Sequence, residues 1–356
     1  MAWTAPDEPI TRLLIVMPSW VGDTVMATPF LSALRDIPAF ADSHITAYLR
    51  PGLNDLLSGQ PEIDDMIPGR PAGLLGPWRG GRRLAGQSFD AAVLLPNSWR
   101  LACTVFLSGI GRRVGYGRDG RSWMLTHAVR CPVAGGWKEP MPAVAYYLNL
   151  ATYLGATEVA GQARPMRLVC TDEQQESATA ILAAEGVAED EPIALLNPGG
   201  NNPAKRWPAD RFAALGAWLS SEHGMHVLVN GSPPEADLVQ RICSEAAGLA
   251  GSATKMIPLT RHRASLGVLK ALCDRTRLVI TNDTGTRHIA AALGMTQTTN
   301  PSHSNPPLGL VTLFGPVAPE WTTLGYDREI EMYDRDSGEV GAIALTAVQS
   351  ACTKLL

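Results

Sequence analysis

The sequence predicts an α/β protein made of two doubly wound parallel-sheet domains, and three observations predict it. Wholly apolar runs such as Leu13-Leu14-Ile15-Val16, Ala91-Ala92-Val93-Leu94-Leu95, Ile193-Ala194-Leu195-Leu196 and Leu278-Val279-Ile280 read as strands buried on both faces. Polar turns rich in Gly, Asn and Pro follow them and open into helical stretches, which is the rhythm of a parallel sheet. At 356 residues the chain exceeds one ordinary core, so two domains are expected.

Taken in order, the first strand (13–16) ends at Pro18 and is followed by a polar turn. A helix over residues 25–34 comes next, with Pro29 tolerated best in a first turn. Residues 45–49 and 91–95 are further strands, the latter stopped by Pro96, and residues 100–107 form a helix. Residues 140–191 read as mostly helical, most clearly over 171–185, and carry the crossing between halves. A second rhythm follows: strand 192–196, helix 212–221, strand 226–229, helix 235–247, and strands 278–280 and 311–314. The domain boundary falls at residue 170, giving 1–170 and 171–356, with the last helix free to pack back on the first domain. Residues 296–309 are polar, hold Pro301, Pro306 and Pro307, and read as an inserted surface loop.

Composition narrows the function. Net charge is −4, from 30 Lys+Arg against 34 Asp+Glu, which argues against a general nucleic-acid binder. The six cysteines are scattered with no CxxC pair, so neither a zinc site nor a disulfide framework is indicated, and reduced thiols in a cytosolic protein are the simplest account. His127, His223, His226, His262 and His303 lack metal-ligand spacing, and no metal is expected. No apolar run reaches the ~18 residues of a membrane span. Residues 1–9 carry Asp7 and Glu8 and no basic segment, unlike a secretory signal.

Four polar turns carry the chemistry. Asn282-Asp283-Thr284-Gly285-Thr286-Arg287-His288 lies between a buried strand and a helix, and such helix starts hold anions. Thr284 or Thr286 can cap that helix, and Gly285 lets a ligand approach the backbone. Pro18-Ser19-Trp20-Val21-Gly22-Asp23-Thr24 sets a carboxylate at a strand end, where it either accepts a proton from a hydroxyl or caps the helix. Asn197-Pro198-Gly199-Gly200 leads to Lys205 and Arg206, suited to a diphosphate or else plain surface charge. Asn230-Gly231-Ser232-Pro233-Pro234-Glu235 offers a carboxylate to a ribose, or merely a charge favourable to a helix start. Gly109 to Gly115 is not a dinucleotide fingerprint, because its spacing is wrong and no strand precedes it. Arg100, Arg112, Arg113, Arg118 and Arg121 gather in the N-terminal half of an acidic chain, which suits an anionic acceptor or else is plain surface charge. Ligands of doubly wound sheets sit at the carboxyl ends of the strands, which places substrate between the domains.

Together these turns resemble the bacterial heptosyltransferases, inverting glycosyltransferases of family nine that build the lipopolysaccharide inner core. The matching pieces run from about residue 12 to 319: Pro18-Ser19-Trp20-Val21-Gly22-Asp23, Leu95-Pro96-Asn97-Ser98, Asn197-Pro198-Gly199-Gly200, Ala204-Lys205-Arg206-Trp207-Pro208, Thr281-Asn282-Asp283-Thr284-Gly285 with His288, and Leu313-Phe314-Gly315-Pro316. The first and fourth are closest to the heptosyltransferase II branch. The resemblance implies a GT-B fold, two Rossmann-like doubly wound domains facing across a cleft. It implies a C-terminal domain binding ADP-L-glycero-D-manno-heptose and an N-terminal domain binding a lipid-anchored glycan acceptor. Asp23 would be the catalytic base and Lys205 the partner of the diphosphate. Gly199, Gly200, Gly231, Ser232, Glu235, Asp283, Thr284, Gly285 and His288 would complete the donor site. Ser19, Trp20, Gly22, Asn97, Ser98, Arg100 and Arg113 would meet the acceptor. Arg287 departs from the small or apolar residue usual there, and is expected to alter the sugar pocket.

The mechanism this implies is one in-line displacement with inversion: Asp23 deprotonates the acceptor hydroxyl and ADP leaves. Lys205 and the helix start after Asp283 neutralise it without a metal. The place of action would be the cytoplasm, which allows peripheral contact with the inner membrane. Two alternatives fit the same fold: a related transferase using another nucleotide sugar and glycan, and a non-catalytic nucleotide-sugar binder. A base kept in the Asp23 turn argues against the binder.

Overall fold

The computed structural model describes residues 9–131, 141–157, 164–251, 254–299 and 307–356. The chain divides into two compact units, Met1–Met166 and Arg167–Leu356, just ahead of the boundary expected at residue 170.

The first unit runs β1 (Arg12–Val16), α1 (Val21–Met26), α2 (Thr28–Arg35), β2 (His44–Leu49), α3 (Leu53–Leu57), β3 (Asp65–Pro68), α4 (Gly76–Ala85), β4 (Ala91–Leu94), α5 (Trp99–Leu107), β5 (Arg112–Tyr116), β6 (His127–Val129) and α6 (Ala143–Tyr153). Its strands form one parallel sheet in the order β3-β2-β1-β4-β5-β6. The single helix expected over residues 25–34 is two. Pro29 has no N–H to give and so sits in the first turn of α2, and the chain breaks at Ala27 to let it.

The second unit runs α7 (Asp172–Ala184), β7 (Ile193–Asn197), α8 (Ala209–His223), β8 (His226–Val229), α9 (Ala236–Ala250), β9 (Met256–Pro258), α10 (Leu266–Asp274), β10 (Leu278–Asn282), α11 (Gly285–Thr299), β11 (Gly309–Phe314), β12 (Glu329–Tyr333) and α12 (Leu345–Leu355). Its parallel sheet has the order β12-β11-β10-β7-β8-β9. Counted within its own unit, each sheet has the strand order 3-2-1-4-5-6. The halves therefore share a topology without a visible sequence repeat.

The central strands are the apolar runs, buried on both sides because helices cover both faces. Helix starts follow local chemistry. Thr171 makes a capping box with Gln174 at α7, and Ser98 and Ser265 cap α5 and α10. The last helix, α12, packs on α8 and β11, and its Val348, Ala351, Cys352 and Leu355 belong to the second unit's own core. Part of the expected 296–309 loop is helical, since α11 continues to Thr299. Its middle, with Pro301, His303 and Pro306, lies outside the described residues, as do the N-terminal residues 1–8 and residue 140, where the mostly helical stretch was expected to begin.

In doubly wound sheets the strand order reverses at one point, and the turns there diverge to leave a crevice at the strands' carboxyl ends. That point lies between β1 and β4 in the first unit and between β7 and β10 in the second. The turns after these four strands hold most of the residues singled out from sequence.

Candidate active site

In the second unit, two asparagines at strand ends lock the switch-point turns together. Asn197 ends β7, and its amide donates to Thr281 at 3.2 Å and Thr284 at 3.0 Å while accepting from Thr286 and Asn230. Asn282 ends β10, donates to the carbonyls of Pro198 and Gly199, and accepts from the Trp207 N–H. Thr284 and Thr286 therefore serve Asn197 through their hydroxyls. Trp207 is buried beside Phe212 and bonds the Ile343 carbonyl, which anchors the turn carrying Lys205.

Lys205 ends a single turn of tight helix, Pro203–Lys205, and its Nζ lies 2.8 Å from Asp283 Oδ2. The lysine is about a quarter exposed and the aspartate 7% exposed, so the ammonium faces solvent from a carboxylate that does not. Burial alone lifts the Asp283 pKa, but the Lys205 hydrogen bond and charge, then Arg287 and His288, outweigh it and hold it below the usual carboxylate range. Gly285 starts α11 beside this pair, and its turn leaves helix N–H groups without intrahelical acceptors. His288 is buried, and burial first, then the Arg287 charge, pushes its pKa down to about 3. It is a neutral imidazole at physiological pH, with Nδ1 lacking a hydrogen-bond partner among the described residues.

Glu235 bridges two turns. Its carboxylate accepts from the Gly200 N–H at 2.8 Å, the Ser232 N–H at 2.8 Å and the Ser232 hydroxyl at 2.6 Å, with Arg206 at 3.7 Å. Burial lifts its pKa, and these donors together bring it below the ordinary value. Arg206, one of the two cations in the turn, is committed to the Gly200 carbonyl through Nε and Nη2. Gly199 is required for close approach: the Glu235 carboxylate stands where a Cβ at 199 would go. Gly231 is similarly crowded by Val239. Gly199→Ala is thus expected to expel Glu235 from its donors and cost ~1–3 kcal/mol, read as a lower urea midpoint for the second unit.

Arg287 corrects a sequence expectation. Its side chain is wholly buried, and all five N–H groups are occupied. They reach both Glu329 oxygens at 2.6 and 3.2 Å, Glu331 at 2.9 Å, Thr322 at 2.9 and 3.0 Å and Asp283 at 3.4 Å, with Phe314 beneath the guanidinium. It has no donor left for a sugar, and bears on the site through its contact with Asp283 and its charge beside His288.

In the first unit, β1 leads through Pro18, Ser19 and Trp20 into α1. The Thr24 hydroxyl donates to the Pro18 and Trp20 carbonyls, which fixes this turn. Asp23 does not cap the helix; it lies in the first turn, after Gly22. Its carboxylate has no hydrogen-bond or ion-pair partner among the described residues, and burial raises its pKa. Its charge in turn helps raise that of buried Tyr147 on α6. An unpaired, partly buried carboxylate with a raised pKa has the properties of a general base.

Ser19, Trp20, Ser98 and Arg100 line one pocket of about 260 Å³, joined by Arg50 and Arg70, which the sequence did not single out. Arg100 also ties the Pro71 and Gly73 carbonyls. Asn97 is held between Tyr146 and Arg121 rather than lining the pocket. Besides Arg100, three of the five clustered arginines are used internally. Arg121 is fully buried on the Pro96 and Tyr116 carbonyls, and Arg118 pairs with Asp119 at 3.4 Å. Arg113 is a further correction. It lies near the amino end of β5, opposite Ala92, and spends its guanidinium on the Ile110 and Met124 carbonyls over Phe106. The other residues expected to meet the acceptor follow the carboxyl ends of β1 and β4, so Arg113 is not brought to them.

Comparison with known proteins agrees with this fold. The family model described as glycosyltransferase family 9 (heptosyltransferase) covers residues 78–332. Lipopolysaccharide heptosyltransferase 2 of Escherichia coli is 31% identical over 324 residues, 87% of this chain and 84% of that protein. The glycosyl transferase family 9 structure from Veillonella parvula superposes with a TM-score of 0.82 at 22% identity, over 99% of this chain and 98% of that one. Escherichia coli ADP-heptose lipopolysaccharide heptosyltransferase II gives 0.77 at 23%, over 97% and 98%. The fold is the α/β GT-B class, and the chain is an enzyme belonging to glycosyltransferase family 9.

Proposed function

We propose that this enzyme transfers heptose from ADP-L-glycero-D-manno-heptose to a lipid-anchored acceptor of the lipopolysaccharide inner core, in the cytoplasm and with inversion. The observation that carries the reading is the Lys205–Asp283 pair at 2.8 Å, set between a glycine turn and the start of α11. A nucleoside diphosphate needs a point charge, backbone donors and a helix start, and that turn cluster offers all three. The names of the relatives supply the donor sugar and the acceptor class.

In this reaction Asp23 takes the proton of the acceptor hydroxyl, whose oxygen forms the new bond to the anomeric carbon. The bond to the diphosphate breaks with its electron pair, and ADP departs. Lys205 and the N-terminus of α11 carry the leaving charge, without a metal. The neutral ring of His288 adds no charge and is free to orient the donor through Nδ1. Arg50, Arg70 and Arg100 meet the anionic groups of the acceptor.

Incubation with ADP-heptose and an inner-core acceptor, followed by mass spectrometry, tests the reading. A heptosylated product supports it. Transfer only from another nucleotide sugar, or donor binding without transfer, overturns it. Lys205→Met should weaken ADP binding by about 10–100-fold, the worth of a charge-assisted bond, measured by calorimetry.

A further inference from the structure

Helix α4 has two unlike faces. Pro77, Gly81 and Leu84 are buried, and Gly80 and Gly81 bring the helix close against Thr104 of α5. Leu75, Trp78, Arg79 and Arg82 recur at i, i+3, i+4 and i+7, so they share the opposite face, and all are exposed. Leu75 is 55% exposed and Trp78 48%, and Leu74 in the preceding turn is 94% exposed. Trp99, 47% exposed, starts α5, where its neighbour Arg100 binds the carbonyls of that same turn.

Charge on this face is one-signed. From Met66 to Phe89 there is no acidic residue, while Arg70, Arg79, Arg82 and Arg83 fall within it. Over residues 66–118 there are eight arginines and one acid, Asp90, a net +7 within a chain of net −4. Asp90 is already committed to Thr11 and Arg12. Arg79 and Arg82 have no carboxylate partner among the described residues; Arg82 instead lies over the Trp78 ring at 5.1 Å. Exposed leucines and tryptophans interleaved with arginines that lack carboxylate partners mark a contact surface rather than a plainly solvated face. They suit the headgroup region of a membrane, where tryptophan rings settle and arginines meet phosphates.

We propose that the outer face of α4, with the turn before it and Trp99, docks on a bilayer containing anionic phospholipid. The occupant follows from charge complementarity: a basic, acid-free face on an acidic protein selects an anionic surface. The patch is small and contains no spanning segment; no helix among the described residues is long and apolar enough to cross a membrane. Docking would be shallow, reversible and sensitive to salt. The turn 70–75 also shares Arg70 and Pro71 with the 260 Å³ pocket, which would open beside the lipid surface. That last consequence rests on the proposed lipid-anchored acceptor; the docking itself does not.

Co-sedimentation of the full chain with vesicles, without donor or acceptor, tests it. Binding is expected to phosphatidylcholine mixed with phosphatidylglycerol and not to phosphatidylcholine alone, and should weaken as salt is raised. Arg79→Glu with Arg82→Glu, and separately Leu75→Ser with Trp78→Ser, should each reduce it by about tenfold or more. Both pairs should keep the parent circular dichroism and the parent turnover on a delipidated, soluble acceptor. Sedimentation with neither vesicle, or equal binding by parent and variants, overturns the proposal. So does a dimer, seen by light scattering, that the same substitutions dissociate, because the face would then belong to a second copy. A protein that docks on vesicles but transfers no heptose would overturn the catalytic reading instead.

Discussion

Asp23→Asn is expected to lower the transfer rate by roughly 10²–10⁴-fold, the usual worth of a general base, while ADP binding stays at the parent value. The amide keeps the shape of the carboxylate and cannot take a proton. Because burial holds the Asp23 pKa above its ordinary 3.8, the parent rate should fall as pH drops through that raised value. Stability should move the other way. A carboxylate whose folded pKa is raised stabilises the protein most below the unfolded value, and that contribution is lost as pH rises through the folded one. Asp23→Asn should therefore be more stable than the parent at neutral pH, with the gap closing on acidification. A dead variant that is also more stable than its parent is the signature of a group kept for chemistry, not structure. Near-normal turnover in this variant would remove Asp23 from the role.

The sequence shows the central frame well and the edges poorly. Strands β1, β4, β7, β10 and β11 are apolar on both faces because helices cover both, so composition alone reveals them. The edge strands β3, β6, β9 and β12 are three to five residues long, and most are half-exposed. Glu329-Ile330-Glu331-Met332-Tyr333 does not read as a buried parallel strand, because its glutamates are there to meet Arg287. Candidate site residues were legible where a glycine or carboxylate follows a strand, as at Asp23, Gly199 and Asp283. The locking roles of Asn197 and Asn282 were not, since an asparagine ending a strand looks like any turn residue until its partners some 80 positions away are known. Arginine was the least legible type. Arg100, Arg113 and Arg287 look alike in sequence, yet one lines a pocket, one closes a strand's amino end and one is buried. Three-dimensional supply of carbonyls and carboxylates decides which, and one-dimensional spacing does not carry it.

Arg287→Met should destabilise the second unit by about 3–5 kcal/mol, seen as its own shift in a urea titration that follows the two units separately. Arg287 is the buried cation to which Asp283, Glu329 and Glu331 all turn. Without it, three carboxylates would share the charge of Lys205, which belongs to Asp283 alone. The sign of the pH response separates lost charge from lost packing. Glu331 is already raised by burial and by Glu329, and removing Arg287 raises it further. Its protonation then favours the folded state, so the variant should regain stability as pH is lowered, which a packing defect would not do. Arg287→Met combined with Glu329→Gln should recover part of the loss at neutral pH. Arg287→Lys should be milder, since it keeps the charge but cannot fork to two glutamates and Thr322 together. If the single Met variant unfolds within about 1 kcal/mol of the parent at neutral pH, the guanidinium is not what offsets the burial of these carboxylates. The anchoring of Asp283, and through it of Lys205, would then have to come from Asn282 and the turn backbone.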